Sequence, residues 1–132
     1  MIAFDTNVLL RLLLNDDHNQ ARQAQDLVDR AVAASDRVLL PDIVLCELEW
    51  VLESVYSFPR ARIATTVRRL LDAEEFAFVN RPAVVRALER YTTGKADFSD
   101  YLLGESAMLA GASTTYTFDR VLSRSAGFSR PQ

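Results

Sequence analysis

At 132 residues, with 49% hydrophobic and 25% charged side chains, the chain has the make-up of one globular domain with a real hydrophobic core, which excludes a disordered or low-complexity protein. A single cysteine, Cys46, excludes an internal disulfide and suits a reducing compartment, and one histidine, His18, excludes both a soft-ligand zinc site and a two-histidine acid–base nuclease. The formal net charge of −3 conceals an uneven distribution. Residues 1–59 hold 4 basic and 10 acidic groups, whereas residues 60–95 hold 8 basic and 4 acidic, a basic block that includes Arg68, Arg69, Arg86 and Lys95. Such a block either steers a polyanion or is the solvated face of arginine-rich helices. No signal peptide is expected at the start, and no apolar run is long enough to span a bilayer, so a cytoplasmic location is expected.

In chain order, Ile2 to Phe4 reads as a short buried strand, followed by a helix from about Asn7 to Leu14 that Asp5, Thr6 or Asn7 can cap. A second helix is predicted from His18 to about Ala34, on the spacing of Ala21, Ala24, Leu27, Val28, Ala31 and Val32. Val38–Leu40 reads as a strand ended by Pro41, with Asp42 as the expected cap of a helix to about Tyr56. Pro59 starts another helix carrying Ile63, Val67, Leu70 and Leu71. A third strand follows at residues 76–79, then a helix from Pro82 to about Tyr91 and one from Phe98 to about Ala110, closed by Gly111. Thr114 to Phe118 is β-prone, and the tail from Ser123 to Gln132 is expected to be loosely held. Short apolar strands alternating with helices indicate an α/β fold, a short, mostly parallel sheet flanked by helices, in one domain over residues 1–132.

Acidic residues fall at unusual places in this pattern. Asp5 and Asp119 each follow a strand, where sites form in open parallel sheets. Glu47 shares a helical stripe with Ile43, Val44, Trp50 and Val51 and is expected to face the core, leaving Glu49 and Glu53 on the polar side. A core-facing carboxylate must be paired, protonated or metal-bound; the paired alternative is an ion pair to an arginine such as Arg11. Asp97 and Asp100 project from neighbouring points at a helix start, where the alternative is a helix cap, most strongly for Asp97. Asp5 and Asp119 share the cap or turn alternative. Taken together, the hard oxygen ligands suit Mg2+ or Mn2+.

Phe4-Asp5-Thr6-Asn7, the helix Glu47-Leu48-Glu49-Trp50-Val51-Leu52, Asp97-Phe98-Ser99-Asp100 and Thr117-Phe118-Asp119-Arg120, in this order and spacing, resemble the PIN domain and, within it, the VapC-type toxins of bacterial toxin–antitoxin pairs. The resemblance implies a PIN-like three-layer fold and a Mg2+- or Mn2+-dependent endoribonuclease in which Asp5, Glu47, Asp100 and Asp119 form the acidic quartet. Asp97 would be an accessory metal-site acid, and Thr6, Asn7 and Thr117 supporting polar groups. It further implies an RNA substrate, a VapB-type antitoxin and a homodimer. Arg68, Arg69, Arg86 and Lys95 are candidate RNA contacts. The non-enzymatic alternative is a catalytically inactive PIN-like binding module. Aspartate phosphatases fit poorly, because Asn7 stands where they carry a second aspartate, and receiver domains fit poorly because Lys95, the only lysine, precedes a helix.

Overall fold

A computed structural model describes all of residues 1–132 and divides them into two compact units, Met1–Val79 and Asn80–Gln132. The architecture is mixed α/β, with six helices and short parallel strands, as the alternation of apolar runs requires.

The first unit runs β1 (Ile2–Ala3), α1 (Thr6–Leu14), α2 (His18–Ala33), β2 (Val38–Leu40), α3 (Asp42–Ser54), α4 (Arg60–Asp72) and β3 (Phe76–Phe78). Its three strands are parallel in the order β1-β2-β3, with Ile2 opposite Val38 and Leu40 opposite Phe78. The central strand is the most enclosed, and Val38 and Leu40 are fully buried. Leu9, Leu45, Leu48, Leu52, Ile63 and Val67 complete this core from the helices. Helix starts follow local chemistry. Asp17 Oδ1 accepts from Gln20 N at 3.0 Å to cap α2, and α3 and α4 enter through Pro41 and Pro59, whose φ of −62° and −68° leads directly into a helix. Asp42, expected as the cap of α3, lies in the first turn instead, because Pro41 occupies the cap position.

The second unit contains α5 (Arg81–Thr93), α6 (Phe98–Leu109), β4 (Thr115–Tyr116), a 3-10 turn (Leu122–Arg124) and β5 (Phe128–Ser129). Helices α5 and α6 pack through Val84, Ala87, Leu88 and Tyr91 against Phe98, Tyr101 and Leu102, with Tyr91 and Phe98 edge to face at 6.1 Å. Gly111, at φ +100°, ends α6 in the left-handed conformation that glycine adopts without strain. Only Thr115–Tyr116 of the expected strand over 114–118 is regular, and it pairs in parallel with β5. The tail is therefore not loose: Phe128 is buried, and its ring fills the space beside Gly104, where a Cβ would overlap it.

Candidate functional site

In the first unit, Asp5 stands at the turn from β1 into α1. Phe4 N still bonds to Leu39 O at 3.1 Å, so the strand ladder holds the backbone up to this point. Asp5 then takes an extended conformation (φ −82°, ψ 175°), and its Oδ1 accepts from Val8 N at 2.9 Å as the cap of α1. The capping alternative is thus realised, and it fixes the carboxylate at the positive end of a helix dipole. Asp5 and Asn7 are both exposed and line one groove of about 310 Å3 with Val8, Arg11, Gln20 and Gln23. Thr6, the other expected supporting group, is buried.

Glu47 does not lie on a core-facing stripe. It is exposed on α3, and its neighbours one turn away, Ile43 and Trp50, are 67% and 66% exposed. The buried face is Val44, Leu45, Leu48, Glu49 and Leu52, so the acid that enters this core is Glu49, at 3% exposure. The helix has apolar residues on both its buried and its exposed sides, with Glu49 on the first and Glu47 and Glu53 on the second, so periodicity alone did not choose between them. The alternative pairing of Glu47 with Arg11 is also absent: Arg11 binds Asp16 at 2.9 Å and Gln20 at 2.7 Å, and Tyr56 donates to the same Asp16 at 3.1 Å. That network holds the Asp16 carboxyl below the usual range, chiefly through the Arg11 hydrogen bond. What remains for Glu47 is a solvent-facing carboxylate with no core to satisfy.

The second unit gathers three of the acids. Asp97 precedes α6, and its backbone N donates to Asp100 Oδ2 at 3.2 Å, closing a capping box over the first turn. Asp119 Oδ1 accepts from Leu122 N at 2.8 Å, capping the 3-10 turn, and its own N donates to Thr117 Oγ1 at 3.1 Å. Thr117 therefore supports the Asp119 backbone rather than its carboxylate. Asp100 is half-buried, and burial pushes its carboxyl above the ordinary value. The hydrogen bond from Asp97 opposes that rise, while the charges of Asp97 and Asp119 add to it. Asp97 and Asp119 thus each lie within electrostatic reach of Asp100.

Two buried acids escaped the sequence. Glu49 is one; the other is Glu105 on α6, which binds Arg86 Nε at 3.2 Å and Arg90 Nη1 at 3.4 Å. Arg90 also donates to Ala126 O at 2.7 Å and lies over the Tyr101 ring. Eight arginines and lysines in one block hid this pairing, but the unusual Gly104-Glu105-Ser106 in a helix otherwise rich in apolar residues was its signal. Arg86 is consequently engaged inside the unit and is a poorer RNA contact than expected. Arg68, Arg69 and Lys95 are exposed.

Each of the acids expected at a metal site offers carboxylate oxygen, the donor that suits Mg2+ or Mn2+, and in the second unit the repulsion of Asp97 and Asp119 on Asp100 is of the kind a cation relieves. Neither unit draws three such side chains into a closed cluster that would hold a metal ion by itself.

Comparison with known proteins bears on the whole arrangement. A VapC ribonuclease from Aquifex aeolicus (strain VF5) is 25% identical over 120 residues, covering 91% of this chain and 88% of that protein. The PIN domain family model matches residues 2–127, running through both units and all five acids. On that match, the chain belongs to the PIN domain family.

Proposed function

We propose that this protein is a Mg2+- or Mn2+-dependent endoribonuclease that cleaves RNA phosphodiesters with water and acts as the toxin of a toxin–antitoxin pair. The observation that carries the reading is the match of the PIN family to residues 2–127, nearly the whole chain, and it is supported by the half-buried Asp100 carboxylate, which feels the charges of Asp97 and Asp119. The likeness to a protein named VapC ribonuclease supports RNA as the substrate and a VapB-type antitoxin as the partner. The same likeness is the support for a cytoplasmic homodimer as part of this proposal; no helix is long and apolar enough to cross a membrane.

Asp5, Glu47, Asp100 and Asp119 would hold the cation, with Asp97 beside them. When bound, the ion supplies charge neutralisation at the scissile phosphate and a water of lowered pKa. The chain's own contribution is to hold the carboxylates still. Val8 N and Leu122 N each fix one oxygen of Asp5 and Asp119, and Asp97 N fixes one oxygen of Asp100. Each bond leaves the carboxylate's second oxygen able to accept, so little reorganisation accompanies substrate binding. In-line attack by water leaves a 5′-phosphate and a 3′-hydroxyl.

Asparagine caps a helix as well as aspartate does, so Asp5→Asn and Asp119→Asn remove charge while keeping the caps. Both variants are expected to keep the native circular dichroism spectrum and to lose Mn2+-dependent cleavage of total RNA by at least ~100-fold, on the scale of other electrostatic site groups. Full cleavage by a folded Asp5→Asn protein overturns the assignment. A second reading is an inactive PIN-like binding module, in which the acids are relics. Mn2+ calorimetry decides between them, since a relic site takes up no ion.

A further inference from the structure

The second unit leaves two aromatic rings in water beside Asp119. Tyr116 is 67% exposed and Phe118 74% exposed, whereas Thr115 and Thr117 between and before them are half-buried. The backbone is extended here: β4 pairs with β5, and Thr117 N continues the ladder to Ser129 O at 2.9 Å. Residues two apart in extended chain project to the same side, so both rings stand on one face. Arg130 Nη1 donates to the backbone carbonyl of Phe118 at 3.2 Å, which ties a guanidinium to this stretch of chain, and Arg130 lines an open groove of about 700 Å3 with Tyr116 and Ser129. Arg120 and Arg124 are also exposed, so residues 110–132 hold three arginines against one acid, Asp119.

Two exposed aromatic rings side by side on one face, beside a groove, make a candidate binding surface. Its surroundings choose the occupant. Packing the face against a second copy would bring like-charged arginines together, whereas a polyanion with flat, unpaired bases satisfies both the rings and the charges. We infer that Tyr116 and Phe118 form a stacking platform for bases of single-stranded RNA, with Arg130 and its neighbouring arginines on the phosphates, next to Asp119. The inference rests on the ribonuclease reading and deepens it: the substrate strand is single and unstacked where it meets the site. Duplex RNA, whose bases are covered, is not held by these rings.

The test is fluorescence anisotropy with a short labelled oligouridylate and a duplex of equal length, in EDTA so that nothing is cut. Tyr116→Ala, Phe118→Ala and Phe118→Leu are expected to weaken oligouridylate binding about 5- to 150-fold. Phe118→Trp retains it, and duplex binding is unchanged in every variant. Phe118→Leu is the sharp case, because it keeps apolar surface and removes only the ring. Wild-type affinity in Phe118→Leu, equal losses for oligouridylate and duplex, or no oligouridylate binding by the wild-type chain each overturn the platform. So does an oligomer, followed by sedimentation, that these variants dissociate without changing RNA affinity. Cleavage with Mn2+ is scored separately. A chain that binds through the rings but does not cut keeps the platform and loses the nuclease reading; one that cuts while Phe118→Leu binds normally loses only the platform.

Discussion

Asp100 is the residue on which opposing effects can be weighed. Burial, with the charges of Asp97 and Asp119, raises its carboxyl, and the hydrogen bond from Asp97 N offsets only part of that rise. A raised folded-state pKa means that the folded chain binds the proton more tightly than the unfolded chain does. The associated stability is present below the ordinary carboxylate value and is lost as pH rises through the raised one. Asp100→Asn keeps an oxygen for Asp97 N and removes the charge. Thermal melts should therefore show a gain at neutral pH that vanishes once the pH falls below the ordinary carboxylate range. A gain that persists in acid would show that charge is not its cause. In wild type, Mn2+ is expected to supply a comparable gain at neutral pH, and Asp100→Asn to lose it.

Among the elements, α6 is the one most constrained by its partners. Gly104 faces the Phe128 ring of β5, and Glu105 on the next position is enclosed by Arg86 and Arg90. Gly104→Ala puts a methyl group into the ring's space, and overpacking of this kind costs about 1–3 kcal/mol, more than the gain in helix propensity returns. A fall in the midpoint of urea unfolding checks it; an unchanged or raised midpoint would mean that β5 shifts freely. Helix α3 teaches the opposite lesson. Ile43 and Trp50 on one side and Leu45, Leu48 and Leu52 on the other give nearly equal apolar stripes, so placement against the rest of the first unit, not the pattern, selected the buried face. Glu47, expected on the core-facing stripe, is exposed, and Glu49 takes the buried position.

At the scale of the molecule, the family match runs through both compact units, and we propose that residues 1–132 fold as one PIN domain. Calorimetry should then show one transition with equal calorimetric and van't Hoff enthalpies; two separable transitions would refute it. The basic block divides on inspection, since Arg86 is bound to Glu105 whereas Arg68 and Arg69 are exposed on α4. If the latter two meet phosphates, Arg68→Glu and Arg69→Glu each reduce the slope of log affinity against log salt by ~0.7 or more for single-stranded RNA. An unchanged slope leaves them as a solvated face.

The amino-acid sequence by itself marked the six helices and the first four strands in order, because each is signalled locally: strands by short apolar runs, helices by Pro41, Pro59 and Pro82 near their starts and Gly111 at an end. It also marked Asp5, Asp97, Asp100 and Asp119, whose capping bonds reach only three residues along the chain. Tertiary structure alone decided what depends on residues far apart. It buried Glu49 in place of Glu47, tied Arg86 and Arg90 to Glu105, and paired the tail with β4. It also left Tyr116 and Phe118 in solvent. The reason is physical: a cap is satisfied by its own helix, whereas burial and ion pairing are settled only by what packs against a face.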